Sequence, residues 1–223
     1  MPTSPRGFLL RSSLPRLYVV LDAVLIPEPA LEIATKLVDA GVRLLQFRAK
    51  ALPAREYLQT ATQLARITRS AGLTFFVNDR PDIAYLAQAD GVHVGQEDLS
   101  VEQARSIVGP DRWVGVSTHN REQFVQAAAT SADYVAIGPI FATTSKANPD
   151  PVVGLDLLRD LRPLTKKPIV AIGGIRLEHA AEVIEAGADS VAVISDILKA
   201  PNPTQRARQF IHRLDAAHPP ARH

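Results

Sequence analysis

Short apolar runs alternate with amphipathic segments along the chain, starting at about Arg16. The runs have the length of buried strands and lie at 17–23, 42–47, 74–79, 91–95, 113–117, 134–140, 168–174 and 190–195. Between them, apolar residues recur with the helical period in segments at 30–41, 56–72, 101–109 and 177–188. Several of these segments end in glycine just before the next run, as helix C-termini do. The pattern therefore predicts a repeated strand–helix unit.

Strands that are buried on both faces and each followed by a helix indicate a parallel sheet covered by helices. Eight such units in about 200 residues fit an α/β fold, the (β/α)8 or TIM barrel with eight parallel strands. A doubly wound open sheet is the alternative, but it usually has fewer strands and a glycine-rich first turn, whereas the segment after the first run, LDAVLIPEPA, contains no glycine. We therefore predict one barrel domain over residues 16–215, between a flexible N-terminal extension (1–15) and a flexible C-terminal tail (216–223).

The composition narrows the function classes. The 223 residues are 46% hydrophobic and 22% charged, with a formal net charge of +2, and no Arg/Lys run is interleaved with aromatic residues. We therefore expect small-molecule partners and no nucleic acid. No apolar stretch approaches the length of a membrane span, and the patch Phe8–Leu10 is too short for a secretory signal. Because the chain has no cysteine, disulfides, thiolate chemistry and Cys-ligated metals are excluded, and we expect a cytoplasmic enzyme whose assembly as a monomer or homo-oligomer is left open.

Polar side chains gather where the predicted strands end. Gln46, Arg48 and Lys50 follow the second run at alternate positions, so they share one face of the strand, whereas Leu45 and Phe47 face the other. In a (β/α)8 barrel the carboxyl ends of the strands carry the active site. Polar residues and glycines follow the other runs in the same way, at 78–80, 95–98, 117–119, 143–146, 173–174 and 194–195.

These strand ends combine cations, amides, hydroxyls and two carboxylates on one rim. Asp79 and Asp98, one strand apart, suit Mg²⁺, which binds one or two protein carboxylates and completes its shell with phosphate oxygens and water. Arg48, Lys50 and Lys146 would neutralise the remaining charge of a diphosphate. The glycines after the seventh run and the turn after the eighth would bind a monophosphate through backbone N–H groups. The pattern therefore indicates two phosphate sites, suited to joining two phosphorylated molecules with release of diphosphate.

Each of these residues also has a simpler explanation when it is taken alone. Asp79, Asp98 and Ser117 could be N-caps of the helices that follow them, and the glycine pair at 173–174 could only make a tight turn. His93 and His119 could likewise have structural roles, and Trp113 could be a core residue. The joint pattern of charges on one rim favours a binding site over these separate explanations.

Seven motifs in this order resemble those of the thiamine phosphate synthase family: QFRAK, VNDR, GVHVGQEDL, GVSTH, GPIFATTSK, AIGGI and VAVIS. The resemblance covers about residues 16–200, and its specificity lies in the motifs occurring together in register, since AIGGI and VNDR are found in other phosphate-binding barrels. It implies a transferase of thiamine biosynthesis that joins 4-amino-2-methyl-5-(diphosphooxymethyl)pyrimidine to a thiazole phosphate or carboxythiazole phosphate. The products would be thiamine phosphate and diphosphate. The carbon–oxygen bond would break first, and the thiazole nitrogen would then attack the resulting cation.

The resemblance also implies roles for individual residues. The pyrimidine diphosphate would be bound by Gln46, Phe47, Arg48, Ala49, Lys50, Asn78, Ser117 and Lys146. The catalytic residues among them would be Arg48, Lys50, Ser117 and Lys146. Mg²⁺, as the cofactor, would be held by Asp79 and Asp98. The thiazole phosphate would be bound by Thr143, Thr144, Ser145, Gly174, Ile194 and Ser195.

The resemblance also implies a role for the loop after the sixth run, and the sequence departs from the family pattern at two positions. The polar, proline-containing loop at 142–153, followed by Gly154, is expected to close over the substrates. Ala49 stands where the family usually has Glu, and Ser145 stands where Thr is frequent. By alternation Ala49 should face the helices, so its effect is expected on a helix-side contact rather than on the chemistry.

Three rival functions share the same fold. A thiazole tautomerase would use a histidine near the fifth strand for proton transfer, and His119 would fill that role. A catalytically silent sensor of thiamine intermediates would retain the phosphate site and lose the metal carboxylates. A phosphosugar isomerase would have a base at a strand end in place of the QFRAK and GQED segments. The tautomerase would have no evident need for the charged set Arg48, Lys50, Asp79, Asp98 and Lys146. The presence of both carboxylates disfavours the sensor, and the QFRAK and GQED segments disfavour the isomerase.

Overall fold

Eight parallel strands close into a barrel in the computed structural model, which describes residues 14–143 and 150–220. The strands are β1 (Leu17–Asp22), β2 (Leu44–Arg48), β3 (Thr74–Asn78), β4 (Gly91–Val94), β5 (Trp113–Thr118), β6 (Tyr134–Ile137), β7 (Ile169–Ile172) and β8 (Ser190–Val193). Each strand pairs with the next, and β8 pairs with β1, so Val19 lies opposite Leu45 on one side and Val193 on the other. This closed parallel arrangement confirms the predicted (β/α)8 barrel.

Helices follow the strands and form the outer layer. They are α1 (Ala30–Asp39), α2 (Ala54–Ser70), α3 (Pro81–Leu86), α4 (Val101–Val108), α5 (Arg121–Ala129), α6 (Gly154–Leu161), α7 (Ala180–Glu185), α8 (Ser195–Leu198) and α9 (Pro203–Asp215), with 3₁₀ turns at Arg162–Leu164 and Leu177–His179. Ser100, Asn120 and Asn202 cap α4, α5 and α9, each accepting a backbone N–H three residues further on. Within the two described segments, every helix is too short or too polar to cross a bilayer.

Side chains of each strand point alternately to the outer and the inner face of the barrel. The outward residues, such as Val19 and Phe47, are fully buried in one large cluster between strands and helices. The inward residues form a second, smaller cluster that fills the barrel, and Tyr18, Phe76 and Tyr134 are its largest fully buried members. The barrel interior is therefore a packed core, and space for ligands is left only above it, at the carboxyl ends of the strands.

Two inward glycines make room for large rings in this interior. A Cβ at Gly115 would lie 2.0 Å from Cζ of Tyr134, and a Cβ at Gly91 would lie 2.9 Å from Cε1 of Phe76. The rings therefore occupy space that any other residue at these two positions would fill. Trp113 itself is 7% exposed and belongs to the interior cluster, as predicted for a core residue.

The two ends of the described chain meet beneath the barrel. Arg16, before β1, donates hydrogen bonds to the carbonyl oxygens of Leu214 and Ala217 after α9. Leu14 and Ala217 are buried, so the packed part of the chain extends beyond the predicted domain limits, residues 16 and 215, at both ends. The expected flexibility of the two tails stays a prediction, and residues 1–13 and 221–223 lie outside the described residues.

Candidate active site

The three polar residues of β2 and its end share the inner face, as predicted from alternation. Gln46 is buried, and its Nε2 donates to the Tyr18 hydroxyl at 2.6 Å. Arg48 pairs with Asp22, and Lys50, which is largely exposed, places Nζ 3.2 Å from Oδ2 of Asp79. Each polar group is therefore held by a different partner before any ligand is considered.

Asp22, at the end of β1, orients Arg48 and was missed in the sequence. It is 4% exposed, and its two oxygens accept from different donors: Oδ1 from the backbone N–H of Val24 at 3.0 Å, and Oδ2 from Nη1 of Arg48. The strand register places the two residues directly opposite each other. A single carboxylate thus fixes both the turn after β1 and the direction of the guanidinium, which keeps further N–H donors. The sequence signal that could have identified Asp22 is an acidic residue at the inward-facing end of a strand.

Tyr57 of α2, also missed, ties the ends of β2 and β3 together. Its hydroxyl contacts the carbonyl oxygens of Phe47 at 2.8 Å and Asn78 at 3.0 Å, and accepts the backbone N–H of Asn78 at 3.2 Å. Burial raises the pKa of this hydroxyl above its usual value, so it stays protonated at neutral pH. The position of Asn78 on the rim is therefore fixed through its backbone from the helix layer.

The two acidic residues predicted to hold a metal lie together at the ends of β3 and β4. Asp79 has a φ of +62° and donates its backbone N–H to the carbonyl oxygen of His93 at 2.8 Å. Oδ2 of Asp98 accepts the backbone N–H of Gly95 at 2.7 Å. The pKa of Asp79 is raised to about 6, mainly by burial and further by a hydrogen bond to Asp98 and the negative charge of Asp98. Lys50 partly offsets this increase. The two carboxyl groups are therefore within hydrogen-bond reach of each other.

Such a pair fits Mg²⁺ better than it fits helix capping. Arg80 and Ser100 occupy the N-cap positions of α3 and α4, so Asp79 and Asp98 are not the caps that the simpler explanation assumed. Two adjacent carboxyl groups that repel each other when ionised are stabilised by a divalent cation, and their oxygens are ligands that Mg²⁺ prefers. In the part of the chain that the structure describes, no group of three or more His, Cys, Asp or Glu side chains could hold a metal. With Asp79 and Asp98 as ligands, water and phosphate oxygens can complete the Mg²⁺ shell.

Ser117, at the end of β5, is connected to the barrel interior. Its Oγ lies 2.8 Å from Nε2 of His93, and Nδ1 of the same ring lies 2.8 Å from the hydroxyl of Tyr134. Asn120 caps α5, so the simpler interpretation of Ser117 as a cap is wrong. His119, in contrast, lies at the rim, where Nδ1 is 2.7 Å from the carbonyl oxygen of Gly138. His93, rather than His119, therefore contacts a predicted site residue.

The ends of β7 and β8 form a cradle made of backbone. Gly174 has a φ of +65°, and a Cβ there would lie 2.4 Å from the carbonyl oxygen of Ala142 and 2.6 Å from that of Phe141. Glycine is therefore required where the loop after β6 crosses β7. A cavity of about 30 Å³ opens at this point, and its lining includes Thr143, Gly174, Ile194 and Ser195.

The negative charge of Asp196, next to this cradle, is neutralised. Arg206 of α9 donates to both of its carboxylate oxygens, at 3.0 and 3.1 Å, and the backbone N–H of Leu177 donates to one of them at 3.1 Å. An unpaired carboxylate here would repel a phosphate. The pair with Arg206 therefore keeps the start of α8 compatible with an anion, and sequence reasoning missed it because the partner lies on the last helix.

Some predicted site residues are not placed against a substrate by their side chains. Phe47 and Ala49 face the helix layer, as alternation predicted, so they could contact a substrate only through their backbone. Ala49 also lines a cavity of about 200 Å³ beside Asp79, into which a larger side chain would extend. Half of the predicted closing loop, residues 144–149, lies outside the described residues, and this part includes three predicted site residues, Thr144, Ser145 and Lys146.

Comparison with known proteins finds relatives that match most of the chain. The family model described as thiamine monophosphate synthase matches residues 17–197. The thiamine-phosphate synthase of Koribacter versatilis is 55% identical over 206 residues, covering 90% of this chain and 96% of that protein. The thiamine-phosphate synthase of Moorella thermoacetica is 44% identical over 195 residues, covering 87% and 93%.

Solved structures show the same relationship at the level of the fold. Thiamine phosphate pyrophosphorylase from Pyrococcus furiosus superimposes with a TM-score of 0.83 at 33% identity, covering 92% of this chain and 98% of that chain. The 3-hexulose-6-phosphate synthase from Salmonella typhimurium superimposes with a TM-score of 0.69 at 21% identity, covering 91% and 100%. The second likeness concerns the barrel fold alone.

Proposed function

This chain belongs to the thiamine monophosphate synthase family and is therefore a transferase of thiamine biosynthesis, and we propose that it joins 4-amino-2-methyl-5-(diphosphooxymethyl)pyrimidine to a thiazole phosphate. The bond between the methylene carbon and the diphosphate oxygen breaks, and its electron pair leaves with the diphosphate. The thiazole nitrogen then gives its lone pair to the methylene carbon, which forms thiamine phosphate. If carboxythiazole phosphate is the acceptor, the product also loses CO₂.

One observation carries this proposal: two anion sites of different chemistry lie on the same barrel rim. The ends of β2, β3 and β4 bring together Arg48, Lys50, Asp79 and Asp98, which suits a metal-bound diphosphate. The ends of β7 and β8 offer glycine backbone and neutralised Asp196, which suits a monophosphate. In the order of the eight strands, β3 and β7 are opposite each other. Two phosphorylated substrates would therefore approach each other across the barrel mouth.

The side chains of the rim assist by holding charge that moves onto the diphosphate. Arg48, oriented by Asp22, keeps N–H donors for phosphate oxygens, and Lys50 adds a second cation beside Asp79. Asn78 and Ser117 offer neutral donors to the same group, and Lys146 completes the set in the sequence. Such fixed donors stabilise the leaving group more as its charge grows.

Mg²⁺ would be held by Asp79 and Asp98, with phosphate oxygens and water completing its shell. Bound there, it would supply positive charge against the departing diphosphate. Lys50 favours the ionised form of Asp79, the form that binds a metal. Below the rim, the packed rings of Phe76 and Tyr134 keep water from reaching the reacting carbon through the barrel.

The test is product formation by the purified protein from both substrates, with and without Mg²⁺. We expect diphosphate and thiamine phosphate in equal amounts, only when both substrates and Mg²⁺ are present. Asp79→Asn should lower kcat by about 100-fold or more, whereas Asp82→Asn, which affects an exposed carboxylate paired with Arg80, should leave it unchanged. If no product forms while the folded protein still binds thiazole phosphate, the proposed reaction is wrong, and the tautomerase or the sensor becomes the better hypothesis.

A further inference from the structure

A continuous series of hydrogen bonds crosses the barrel interior just below the rim. We call it the interior chain; it consists of Gln46, Tyr18, Tyr134, His93 and Ser117. The successive distances are 2.6 Å from Nε2 of Gln46 to the Tyr18 hydroxyl, 3.1 Å between the two tyrosine hydroxyls, and 2.8 Å on each side of the His93 ring. The chain thus joins two predicted substrate-binding residues, Gln46 on β2 and Ser117 on β5, through three side chains with no assigned role.

If each hydroxyl donates one bond within the interior chain, the donor at one end sets the direction of every bond in it. Because the Gln46 amide donates to Tyr18, the Tyr18 proton is left to point to Tyr134. The Tyr134 proton then points to Nδ1 of His93, which must accept it. A neutral imidazole that accepts at Nδ1 carries its proton on Nε2, and Nε2 donates to Oγ of Ser117. The Ser117 hydroxyl proton is then left to point out of the chain.

Packing holds the members of this chain in place. The ring of Tyr134 stacks on Phe76 at a centroid distance of 5.7 Å and on His93 at 5.5 Å. The absence of a side chain at Gly115 makes the space that the Tyr134 ring occupies. Burial raises the pKa of the hydroxyls of Tyr18 and Tyr134 above their usual value, so both remain proton donors at neutral pH.

We propose that His93 is a positioning residue, which the interior chain holds in the Nε2–H tautomer so that the Ser117 hydroxyl donates its proton to the leaving diphosphate. This inference rests on the proposed function. The opposite tautomer would accept the Ser117 proton at Nε2 and leave only oxygen lone pairs facing an anion, which would repel it. The direction of the chain therefore decides whether Ser117 stabilises or opposes the charge that grows on the leaving group.

The tautomer can be measured directly in the folded protein. ¹⁵N-histidine NMR at neutral pH distinguishes a protonated Nε2 from a protonated Nδ1, and the His93 signals are identified by their loss in His93→Gln. We expect a protonated Nε2 in the wild type. A protonated Nδ1 would overturn the proposal, whatever the enzyme assay shows.

Kinetics test whether His93 acts through Ser117. We expect His93→Ala to lower kcat by about 100-fold, as for loss of an oxyanion-type donor, with little change in the KM of either substrate. His93→Gln should recover part of kcat, because its amide can still donate to Oγ of Ser117. Tyr134→Phe keeps the ring and removes the donor to Nδ1, so it should also lower kcat. The matched control is His212→Gln, which changes an exposed histidine of α9 and should have no effect.

The double variant separates a positioning role from a structural one. In a Ser117→Ala background, His93→Ala should lower kcat little further, because both changes remove the same donor. If the two effects multiply, or if His93→Ala keeps the wild-type kcat, the proposal is wrong. Should His93→Ala fail to fold, Tyr134→Phe and the NMR measurement decide the matter. Absence of thiamine phosphate with the wild-type protein would instead refute the proposed function, and the tautomer would still be measured independently.

Discussion

Two carboxylates on the rim differ in what surrounds them, and that difference gives them different functions. Asp22 faces a guanidinium and a backbone N–H, so both of its oxygens are satisfied inside the protein. Asp79 faces another carboxyl group as well as Lys50, and its pKa is raised to about 6. The first is an orienting group, and the second is held in a state that a cation would stabilise.

Asp22→Asn tests the orienting role. The amide has one acceptor oxygen for two donors, so either Val24 N–H or Arg48 would face an NH₂ group. We expect kcat to fall about tenfold or more because the Arg48 fork is misplaced, as happens when outer-shell partners are lost. Steady-state kinetics would measure this. Glu28→Gln, which breaks the ion pair with Lys36 on the surface, is the control, and equal kcat in both variants would contradict the role.

Asp79→Asn should change stability and turnover in opposite directions. Because the folded state raises the Asp79 pKa from 3.8 to about 6, it binds more protons than the unfolded state within that range. The contribution of this group to the free energy of unfolding therefore falls as pH rises from about 4 to about 6 and is constant above. We expect the variant to gain stability relative to the wild type over this window while it loses turnover. Urea denaturation without metal from about pH 4 to about pH 8 would show it, and a stability difference between variant and wild type that stays constant across this range would contradict it.

At the scale of elements, the strand ends are fixed from outside as well as from inside the barrel. Tyr57 of α2 connects the ends of β2 and β3, and Arg206 of α9 connects the starts of α8 and the preceding 3₁₀ turn through Asp196. Gly174 lets the loop after β6 cross β7. The rim is therefore positioned by the helix layer, and the predicted phosphate cradle depends on one backbone crossing.

Gly174→Ala should weaken that cradle specifically. Its Cβ would clash with two carbonyl oxygens of the β6 loop, in addition to the strain of a positive φ. Gly72→Ala is a matched control, because its φ is +70° and nothing lies within 4 Å of the added Cβ. We expect both variants to lose about 1 kcal/mol or more of stability, but only Gly174→Ala to raise the KM for the thiazole phosphate. An equal KM in the two variants would show that the cradle does not bind this substrate.

At the scale of the whole molecule, the closed barrel brings the proposed metal ligands Asp79 and Asp98 and the predicted phosphate cradle to one mouth. Two carboxylates alone leave most of the Mg²⁺ shell to water and phosphate oxygens. Ligands that bind only the folded state raise the melting temperature, and the stabilisation grows with the logarithm of the ratio of ligand concentration to Kd. Metal binding and diphosphate binding should therefore reinforce each other.

Thermal melting with each ligand alone and with both tests this coupling. We expect Mg²⁺ and diphosphate together to raise the melting temperature by more than the sum of their separate effects, because each supplies ligands to the other. In Asp79→Asn the excess should disappear while any effect of diphosphate alone remains. A full rise with Mg²⁺ alone would mean that the protein provides more metal ligands than Asp79 and Asp98.

The sequence by itself determined the eight strands, their order, and several of the residues at their carboxyl ends, although not Asp22. Strand and helix periods are local, and alternation along β2 placed Gln46 and Arg48 on one face without any knowledge of the fold. The family followed from motifs at these same strand ends. The hydrogen-bond and ion-pair partners of these rim residues could not be predicted in the same way.

Only the tertiary structure decided the partners of those groups. Asp22 meets Arg48, and His93 meets Tyr134 and Ser117, because closure of the barrel sets the stagger between strands that are far apart in sequence. A side-chain pattern along one strand carries no information about which inward residue of another strand lies at the same height. The interior chain and the orientation of Arg48 therefore follow from the register of the closed sheet, a long-range property of the whole chain.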